Sequence, residues 1–455
     1  MTHSVTEALA YYDSWLAFNQ RYQRVPGVQV AVYAEDAIAF SAAYGMADLE
    51  NDVPLTDQHL FRIASHSKTF TGTAVFQLVE QGRLRLDDKV SQHVTEIVGT
   101  PVGERTVREL LAHAGGVTRD SLNANWWQLS TAFPDRDQLL DVLRSESSAV
   151  IAENERFKYS NIGYGLLGLV VEAASGTPYN SYVQTAIVGK LGLSGLGPEL
   201  DPSRLNEYAA GYSALSYADT RVPIEHVDTR ALASATGFFG NARDLVTYFS
   251  AHLPGDNRLL SDKSKREMQH PLWATGSDEK ARYGLGLAVN KVGEREVFGH
   301  GGGYPGHITR TLVDPENRIV VSVLTNAIDG PASQLAEGLF RLLDLAESKD
   351  RGEGDLARFT GRFANLWGVT DFVVIGGRLY ATDPSGPNPA DEPQPLEADG
   401  DTLRVTGGNG YGSYGESYRF TFDANGAVES VHGSSGLSLQ PIHDFTLPER
   451  VTVAP

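Results

Sequence analysis

The chain of 455 residues contains no cysteine, which excludes disulfide bonds, thiolate metal sites and a cysteine nucleophile. It also lacks long apolar runs: no segment approaches the roughly 18 consecutive apolar residues typical of a membrane-spanning helix. The stretch from Met1 to Gly27 has no apolar core of the kind found in secretion signals. From the residues alone we therefore expect a cytoplasmic protein without a membrane partner.

Positive charge is scarce, with 38 Lys and Arg against 57 Asp and Glu and a net charge of -19. Binding to nucleic acid requires clustered Lys and Arg that neutralise phosphates, so we expect no nucleic-acid partner. The acidic surplus is typical of a soluble protein. The length exceeds that of one ordinary core and predicts two domains.

The most informative segment that is present is Ser65-His66-Ser67-Lys68, at the predicted start of a helix. Residues at positions i and i+3 share a helix face, so the Lys68 amine is expected within hydrogen-bond reach of the Ser65 hydroxyl. Such a tetrapeptide also occurs by chance as a serine near a helix start and a solvated lysine. Taken with two later segments, it indicates a nucleophile with its base.

The second segment is Tyr159-Ser160-Asn161, which precedes an apolar helix, and the third is His300-Gly301-Gly302-Gly303, which follows a predicted strand. In an extended segment Tyr159 and Asn161 project to the same side. Each segment alone has an ordinary structural interpretation, as a core tyrosine, a surface histidine or a tight glycine turn. The three together, in this order, are far more specific than any one of them.

This order resembles that of the active-site elements of serine β-lactamases and penicillin-binding proteins. The chain is similar to the class C β-lactamase and penicillin-binding-protein superfamily, in the subgroup with D-aminopeptidases, D-stereospecific amidases and carboxylesterases. Further segments resemble family landmarks: Thr106 to Gly116, Tyr283 to Leu287, Val313 to Glu316 and Thr325-Asn326. His300 stands where true β-lactamases carry a lysine, which resembles the peptidases and esterases more closely.

The chemistry of such a site begins with attack of the Ser65 Oγ on an amide, ester or thioester carbonyl, followed by opening of the acyl-enzyme by water or an amine. Either Lys68 or Tyr159 can accept the serine proton, and the sequence does not choose between them. We expect His300 to donate to the Tyr159 oxygen or to contact a substrate carboxylate. Asn161 is expected to hydrogen-bond Lys68 or the substrate amide.

The backbone N–H groups of Ser65 and Gly303 are the candidate oxyanion donors. Gly302, Trp126 and Trp127 are candidate substrate-binding residues, and the two tryptophans form either a substrate wall or a buried aromatic plug. No metal ligand set and no cofactor motif is predicted.

The pattern of elements predicts an α+β catalytic domain over residues 1–346. The first and last strands of this domain are expected to share one antiparallel sheet, flanked by helices and with an inserted helical cluster. A polar run from Glu347 to Gly354 marks the boundary. Residues 355–455 carry short alternating segments separated by glycine turns, which predict a small all-β barrel. This barrel resembles the lipocalin-like domain of some superfamily members, for which we expect a structural or access-limiting role.

Three functions fit these observations. The first is a serine hydrolase acting through acyl-Ser65 on amides or esters of D-configured peptides, with a small-molecule or peptide substrate as its partner. The second is a penicillin-binding-protein-type thioesterase that takes a nonribosomal peptide from a peptidyl carrier and releases it as a macrocycle. The third is a non-catalytic binding protein of the same fold, which would have no chemical need for Lys68 and Tyr159 together. The oligomeric state is not predicted.

Overall fold

The computed structural model describes residues 3–278, 280–347, 355–408, 413–447, 449 and 451. Its contacts divide the chain into two compact units, one of Val25–Ala336 and one of Met1–Arg24 with Glu337–Pro455. Most of the expected boundary run, residues 348–354, lies outside the described residues. The domain limits at 346 and 355 therefore stay a prediction.

The unit Val25–Ala336 is built on one antiparallel sheet of nine strands, in the order β3-β2-β1-β14-β13-β12-β11-β10-β9. The strands of this unit are β1 (Gly27–Ala34), β2 (Ala37–Asp48), β3 (Val53–Pro54), β4 (Phe61–Arg62), β5 (Leu196–Gly197), β6 (Gly211–Tyr212), β7 (Pro223–Ile224), β8 (Phe239–Gly240), β9 (Trp273–Ala274), β10 (Arg282–Tyr283), β11 (Ala288–Val292), β12 (Arg295–Tyr304), β13 (His307–Asp314) and β14 (Ile319–Thr325). Strand β1 pairs with β14, with Val30 opposite Val323. The expected α+β arrangement, in which early and late strands share one sheet, is confirmed.

A two-residue turn joins β1 to β2. Glu35 and Asp36 have φ angles of 51° and 61°, and two successive positive φ values are the requirement of the hairpin turn that matches the twist of its strands. The two runs Val28 to Tyr33 and Ala37 to Tyr44 predict a hairpin around these residues, and the structure confirms it.

Helix α7 (Ala242–Ser250) packs on β1 and β14, and the other helices of the unit Val25–Ala336 include the inserted cluster. These other helices are α2 (Ser67–Glu80), α3 (Val107–Leu111), α4 (Arg136–Arg144), α5 (Asn161–Ser175), α6 (Tyr179–Val183) and α8 (Asp262–Gln269), with π-helical turns at Gln184–Gly189 and Ala233–Gly237. Helix α1 (His3–Tyr22) and most of α9 (Ala332–Ala346) belong to the other unit. Helices α2 and α5 are buried along almost their whole length, as expected for helices that are apolar or small on every face. The first sequence segment runs into the start of α2, and the second runs into the start of α5.

The sequence pattern from Tyr283 to Lys291 predicts a single strand, whereas the structure has two, β10 and β11. The chain leaves β10 at Gly284, where a side-chain Cβ would lie 2.3 Å from the carbonyl oxygen of Met268. Gly286 then takes a φ of 84°, which a residue with a side chain adopts only with strain. This close approach and turn separate β10 from β11.

The second unit contains a closed antiparallel barrel of eight strands, which fits a lipocalin-like domain. Its strands are β15 (Gly361–Asn365), β16 (Gly368–Ile375), β17 (Arg378–Thr382), β18 (Gln394–Asp399), β19 (Thr402–Val405), β20 (Ser417–Phe422), β21 (Val428–His432) and β22 (Ser438–Pro441). Phe363, Phe372 and Phe420 pack against one another in its core with ring centroids 5.1–6.0 Å apart. The core of the barrel is therefore occupied by its own aromatic side chains.

Helix α1 groups with the barrel, although the sequence pattern had assigned it to the catalytic domain. The Tyr11 hydroxyl donates to Asp371 at 3.0 Å, and the Trp15 indole donates to the carbonyl of Pro384 at 3.1 Å. Contacts between residues so far apart in sequence carry no local signature. Of the helices described here, none is both long and apolar enough to cross a bilayer.

Candidate active site

The nucleophile candidate Ser65 lies in a single 3-10 turn, Ala64–His66, between β4 and α2. Ala64 has a φ of 46°, in the left-handed region that non-glycine residues avoid. Strained backbone of this kind concentrates at functional sites. The turn opens directly into α2, so Ser65 lies where backbone N–H groups lack helical acceptors and where the helix dipole favours negative charge.

Lys68 is fully buried one turn later and makes three hydrogen bonds through its Nζ atom. Nζ lies 3.2 Å from the Ser65 Oγ, 2.8 Å from the Asn161 Oδ1 and 2.8 Å from the carbonyl oxygen of Ala235. Burial lowers the pKa of Lys68 well below its usual value, partly opposed by the nearby charge of Asp120. A neutral amine has two N–H groups, and the two pure acceptors take both. The nitrogen lone pair is then directed at the serine hydroxyl.

Tyr159 contacts the same serine oxygen from another side. Its hydroxyl lies 2.8 Å from the Ser65 Oγ, and the Lys68 Nζ lies 4.7 Å from the centroid of its ring. Burial raises the pKa of Tyr159 above its usual value, so the phenol keeps its proton at neutral pH. Tyr159 therefore donates a hydrogen bond to the Ser65 oxygen.

A buried carboxylate, Asp120, fixes the orientation of Asn161. Its Oδ1 accepts the Asn161 Nδ2 at 2.7 Å and the Trp127 indole N–H at 2.9 Å. Because a carboxylate only accepts, the Asn161 amide nitrogen must face Asp120 and its oxygen must face Lys68. The structure thus brings Trp127 into the site network. Trp126 instead lies in the hydrophobic core, and its buried indole N–H has no hydrogen-bond partner among the described residues.

His300 does not make the expected hydrogen bond to the Tyr159 oxygen, since both of its ring nitrogens bond elsewhere; its alternative role, contact with a substrate carboxylate, stays a prediction. Nδ1 lies 2.6 Å from the carbonyl oxygen of Gly301 and must donate to it, while Nε2 lies 3.0 Å from the Tyr283 hydroxyl. Burial lowers the pKa of His300 well below its usual value. The ring is therefore neutral, Nε2 accepts from Tyr283, and His300 adds no positive charge beside Tyr159.

Gly302 lets strand β12 lie directly against the nucleophile turn. A Cβ on Gly302 would stand 2.1 Å from the carbonyl oxygen of Ile63 and 2.4 Å from the Thr309 Oγ1. Gly303, one residue further, is exposed, and a Cβ there would meet only the side chain of Ile308, at 3.6 Å. The role of Ser65 and Gly303 as oxyanion donors stays a prediction.

Two other serines lie close to Ser65 in sequence or in space, and both are engaged in local structure. The Ser67 hydroxyl donates to the carbonyl of Ala64 at 2.6 Å and accepts the N–H of Phe238 at 3.0 Å. The Ser160 hydroxyl donates to the carbonyl of Thr118 and caps α5 by accepting the N–H of Gly163. Among these hydroxyls, that of Ser65 contacts both the amine and the phenol.

Sequence reasoning missed Asp120, Tyr283 and the Ala235 carbonyl. Tyr283 lies in one of the segments that resemble family landmarks, so the sequence did indicate that it is near the site. Nothing in the sequence indicated that its hydroxyl bonds to His300. Asp120 precedes the Trp126-Trp127 pair in the stretch between the first two segments. The available signal in the sequence was an acidic residue close to two tryptophans. Throughout the described part of the chain, no group of three or more acidic or histidine side chains is arranged to hold a metal ion.

Comparison with known proteins agrees with this geometry. A protein-family model described as Beta-lactamase matches residues 16–345. The chain belongs to the beta-lactamase family. Its relatives include Penicillin-binding protein 4* of Bacillus subtilis (strain 168), which is 30% identical over 304 residues, covering 64% of this chain and 65% of that protein. This chain therefore spans just under two thirds of that relative's length.

Solved structures share the fold of this beta-lactamase family member. The octameric penicillin-binding protein homologue from Pyrococcus abyssi superposes with a TM-score of 0.67 at 22% identity, covering 95% of this chain and all of the other. The D-amino acid amidase from Ochrobactrum anthropi SV3, complexed with L-phenylalanine amide, gives a TM-score of 0.64 at 23% identity and covers 75% of this chain and 99% of the amidase. The resemblance inferred from the sequence segments is confirmed.

Proposed function

We propose that this member of a serine hydrolase family forms an acyl-enzyme on Ser65 and cleaves amide or ester bonds next to D-configured residues. The observation that carries the proposal is the pair of contacts at the Ser65 Oγ, with the Lys68 Nζ at 3.2 Å and with the Tyr159 hydroxyl at 2.8 Å. A serine with both a buried amine and a buried phenol on its oxygen has the groups needed to lose and return a proton.

Lys68 is the general base in this proposal. Burial shifts the two candidate groups in opposite directions, lowering the pKa of Lys68 and raising that of Tyr159. At neutral pH the amine is free to accept a proton, whereas the phenol still holds its own. The Ser65 proton moves to the Lys68 Nζ as the Oγ bonds to the carbonyl carbon, and the carbonyl oxygen becomes an oxyanion.

Collapse of the tetrahedral intermediate breaks the bond to the leaving nitrogen or oxygen. The leaving atom takes a proton from the Tyr159 hydroxyl, which bridges to Ser65, and the Lys68 ammonium returns a proton to Tyr159. Water or an amine then attacks the acyl carbonyl, and its proton passes through Tyr159 to Lys68. Lys68 protonates the Ser65 Oγ as the acyl bond breaks, which restores Ser65. His300 and Tyr283, a neutral pair, take no part in this proton transfer.

The similar solved structure of a D-amino acid amidase supports the choice of D-configured substrates. The test is turnover of D- and L-phenylalanine amide and of the matching methyl esters, with the released acid measured by chromatography. The D compounds should be hydrolysed faster, and Ser65→Ala should hydrolyse none of them. Ser67→Ala is the matched control and should retain activity, because its hydroxyl is held by Ala64 and Phe238. Equal rates for D and L would contradict the stereochemical part alone, and no turnover of any compound would contradict the whole proposal.

A further inference from the structure

Arg119 is held beside the candidate active site by hydrogen bonds of its backbone. Its carbonyl oxygen accepts the backbone N–H of Asn161 at 2.8 Å and that of Ile162 at 3.2 Å, the first residues of α5. The residue therefore occupies a set position beside Asn161, although it belongs to a loop.

The Arg119 side chain presents an open guanidinium fork beside the reacting groups. Its Nε donates to the Asp120 Oδ2 at 3.2 Å, and its guanidinium carbon lies 5.2 Å from the centroid of the Tyr159 ring. The side chain is 64% exposed, and its two terminal nitrogens have no hydrogen-bond partner in the part of the chain that the structure describes. A guanidinium held at Nε with both terminal nitrogens free matches the planar geometry of a carboxylate.

The open fork lies close to the nucleophile, because the Tyr159 ring that it covers carries the hydroxyl bonded to Ser65. Burial is the main influence on both groups, lowering the pKa of Lys68 and raising that of Tyr159; the Arg119 charge has a smaller effect that lowers the pKa of each. Asp120 holds the guanidinium only at Nε, and its other oxygen accepts from Asn161 and Trp127, so this carboxylate leaves the two terminal nitrogens open.

We propose that Arg119 is a specificity-determining residue that binds a carboxylate of the substrate through its two terminal nitrogens, so that the preferred substrates are anionic amides or esters. The inference rests on the acyl-Ser65 function proposed above. The carboxylate can belong to the acyl group or to the leaving group, and both sources present the same planar anion to the fork.

Two pairs of esters separate these sources. In the acyl pair, the mono-p-nitrophenyl ester of glutaric acid, which has a free carboxylate, is compared with methyl p-nitrophenyl glutarate, in which that carboxylate is methylated and uncharged. In the leaving-group pair, a 3-carboxyphenyl ester is compared with the 3-(methoxycarbonyl)phenyl ester of the same acid. The quantity measured is the ratio of kcat/KM for the charged and neutral member, because a general change in catalysis cancels in this ratio.

The wild-type protein should prefer the charged member of one pair by about tenfold, the equivalent of about 1.4 kcal/mol. Arg119→Gln should reduce that ratio to about one, and Arg119→Lys should keep part of it, because the charge remains while the fork is lost. Lys158→Gln is the matched control, because Lys158 is a second positive charge near the site. Burial lowers the pKa of His113, and the charges of Arg119 and Lys158 both lower it further. The His113 ring packs against Tyr159. This control should retain the preference.

The proposal is overturned if neither pair shows a preference, if the preference survives Arg119→Gln, or if Lys158→Gln removes as much of it as Arg119→Gln. The last result would mean that a diffuse positive field, and not the fork, selects the substrate. Failure of the proposed function looks different, since then the wild-type protein would turn over none of the four esters, or Ser65→Ala would remain active.

Discussion

Replacing Asp120 by asparagine should shift the pH dependence of acylation to lower pH. Asp120 accepts both Asn161 and Trp127 through its Oδ1, so the carbonyl oxygen of an asparagine can keep both hydrogen bonds. The change removes one negative charge and, at the other oxygen, the bond to the exposed Arg119. It therefore alters the electrostatics of the site with little change in its geometry.

The direction follows from the charge. Asp120 favours the ammonium form of Lys68 and so raises the pKa of that amine against the larger, lowering effect of burial. Without the anion the pKa of Lys68 falls further, and the neutral base is present at lower pH. An opposite charge within about 4–6 Å shifts a pKa by about 1–3 units. We expect a shift of about one unit, because Asp120 reaches Lys68 through the Asn161 amide.

The assay is kcat/KM for an activated ester between about pH 5 and pH 9, a range that brackets a base tuned toward neutral pH. One unit below the wild-type midpoint, a shift of this size raises the fraction of neutral base, and hence the rate, about fivefold. Asp141→Asn, which removes an exposed carboxylate on α4, is the control and should leave the profile in place. An unchanged profile, or a shift to higher pH, would refute the electrostatic reasoning.

Three further changes test separate parts of the site. Tyr159→Phe should reduce amide hydrolysis far more than hydrolysis of a p-nitrophenyl ester, because the nitrophenolate leaving group needs no proton. Lys68→Met should reduce both activities. Equal losses of the two activities in Tyr159→Phe would contradict the role of Tyr159 as proton donor. Gly302→Ala should lower kcat/KM at least about tenfold in a folded protein, because the new Cβ meets the Ile63 carbonyl. Gly303→Ala has room for its Cβ and should change kcat/KM little. Similar effects of the two substitutions would argue against close packing of β12 on the nucleophile turn. Tyr283→Phe leaves the buried His300 Nε2 without its donor and should lower the free energy of unfolding by about 1–3 kcal/mol; denaturant titration with no loss of stability would show that the His300–Tyr283 bond is dispensable.

Local spacing was enough to predict the contact between Ser65 and Lys68, because one helical turn fixes the distance between positions i and i+3. The same holds for the β1–β2 hairpin and for α5, whose apolar run is bounded by Ser160 at its start and Gly176 at its end. These features depend on residues close together in the chain, and their physical signals are local.

The missed contacts depend on tertiary packing. A backbone carbonyl such as that of Ala235 has no side-chain signature, and its π-helical turn reaches Lys68 only in the folded chain. One of the two roles expected for His300 was donation to the Tyr159 oxygen, but in the folded chain its Nε2 bonds to the Tyr283 hydroxyl. The roles of the site residues in catalysis stay predictions until activity is measured.

The barrel illustrates the same limit. The alternating patterns predict five of its strands, over residues 372–374, 378–382, 402–405, 418–422 and 428–431, but not β15, β18 and β22. Strand β18 contains Pro395, which weakens its strand pattern, and β22 is only four residues long. Closure of the barrel requires β15 to pair with β22, a contact between its first and last strands that no short pattern encodes.

The central claim is that Ser65 becomes acylated with Lys68 as its base, and intact-mass measurement of rapidly quenched reactions tests it most directly. With a p-nitrophenyl ester of a D-amino acid, the wild-type protein should gain the mass of one acyl group, and peptide mapping should place it on Ser65. Ser65→Ala should gain none, and Lys68→Met should acquire the adduct much more slowly at neutral pH. An adduct on Ser67 or Ser160, or acylation of Lys68→Met at the wild-type rate, would contradict the account.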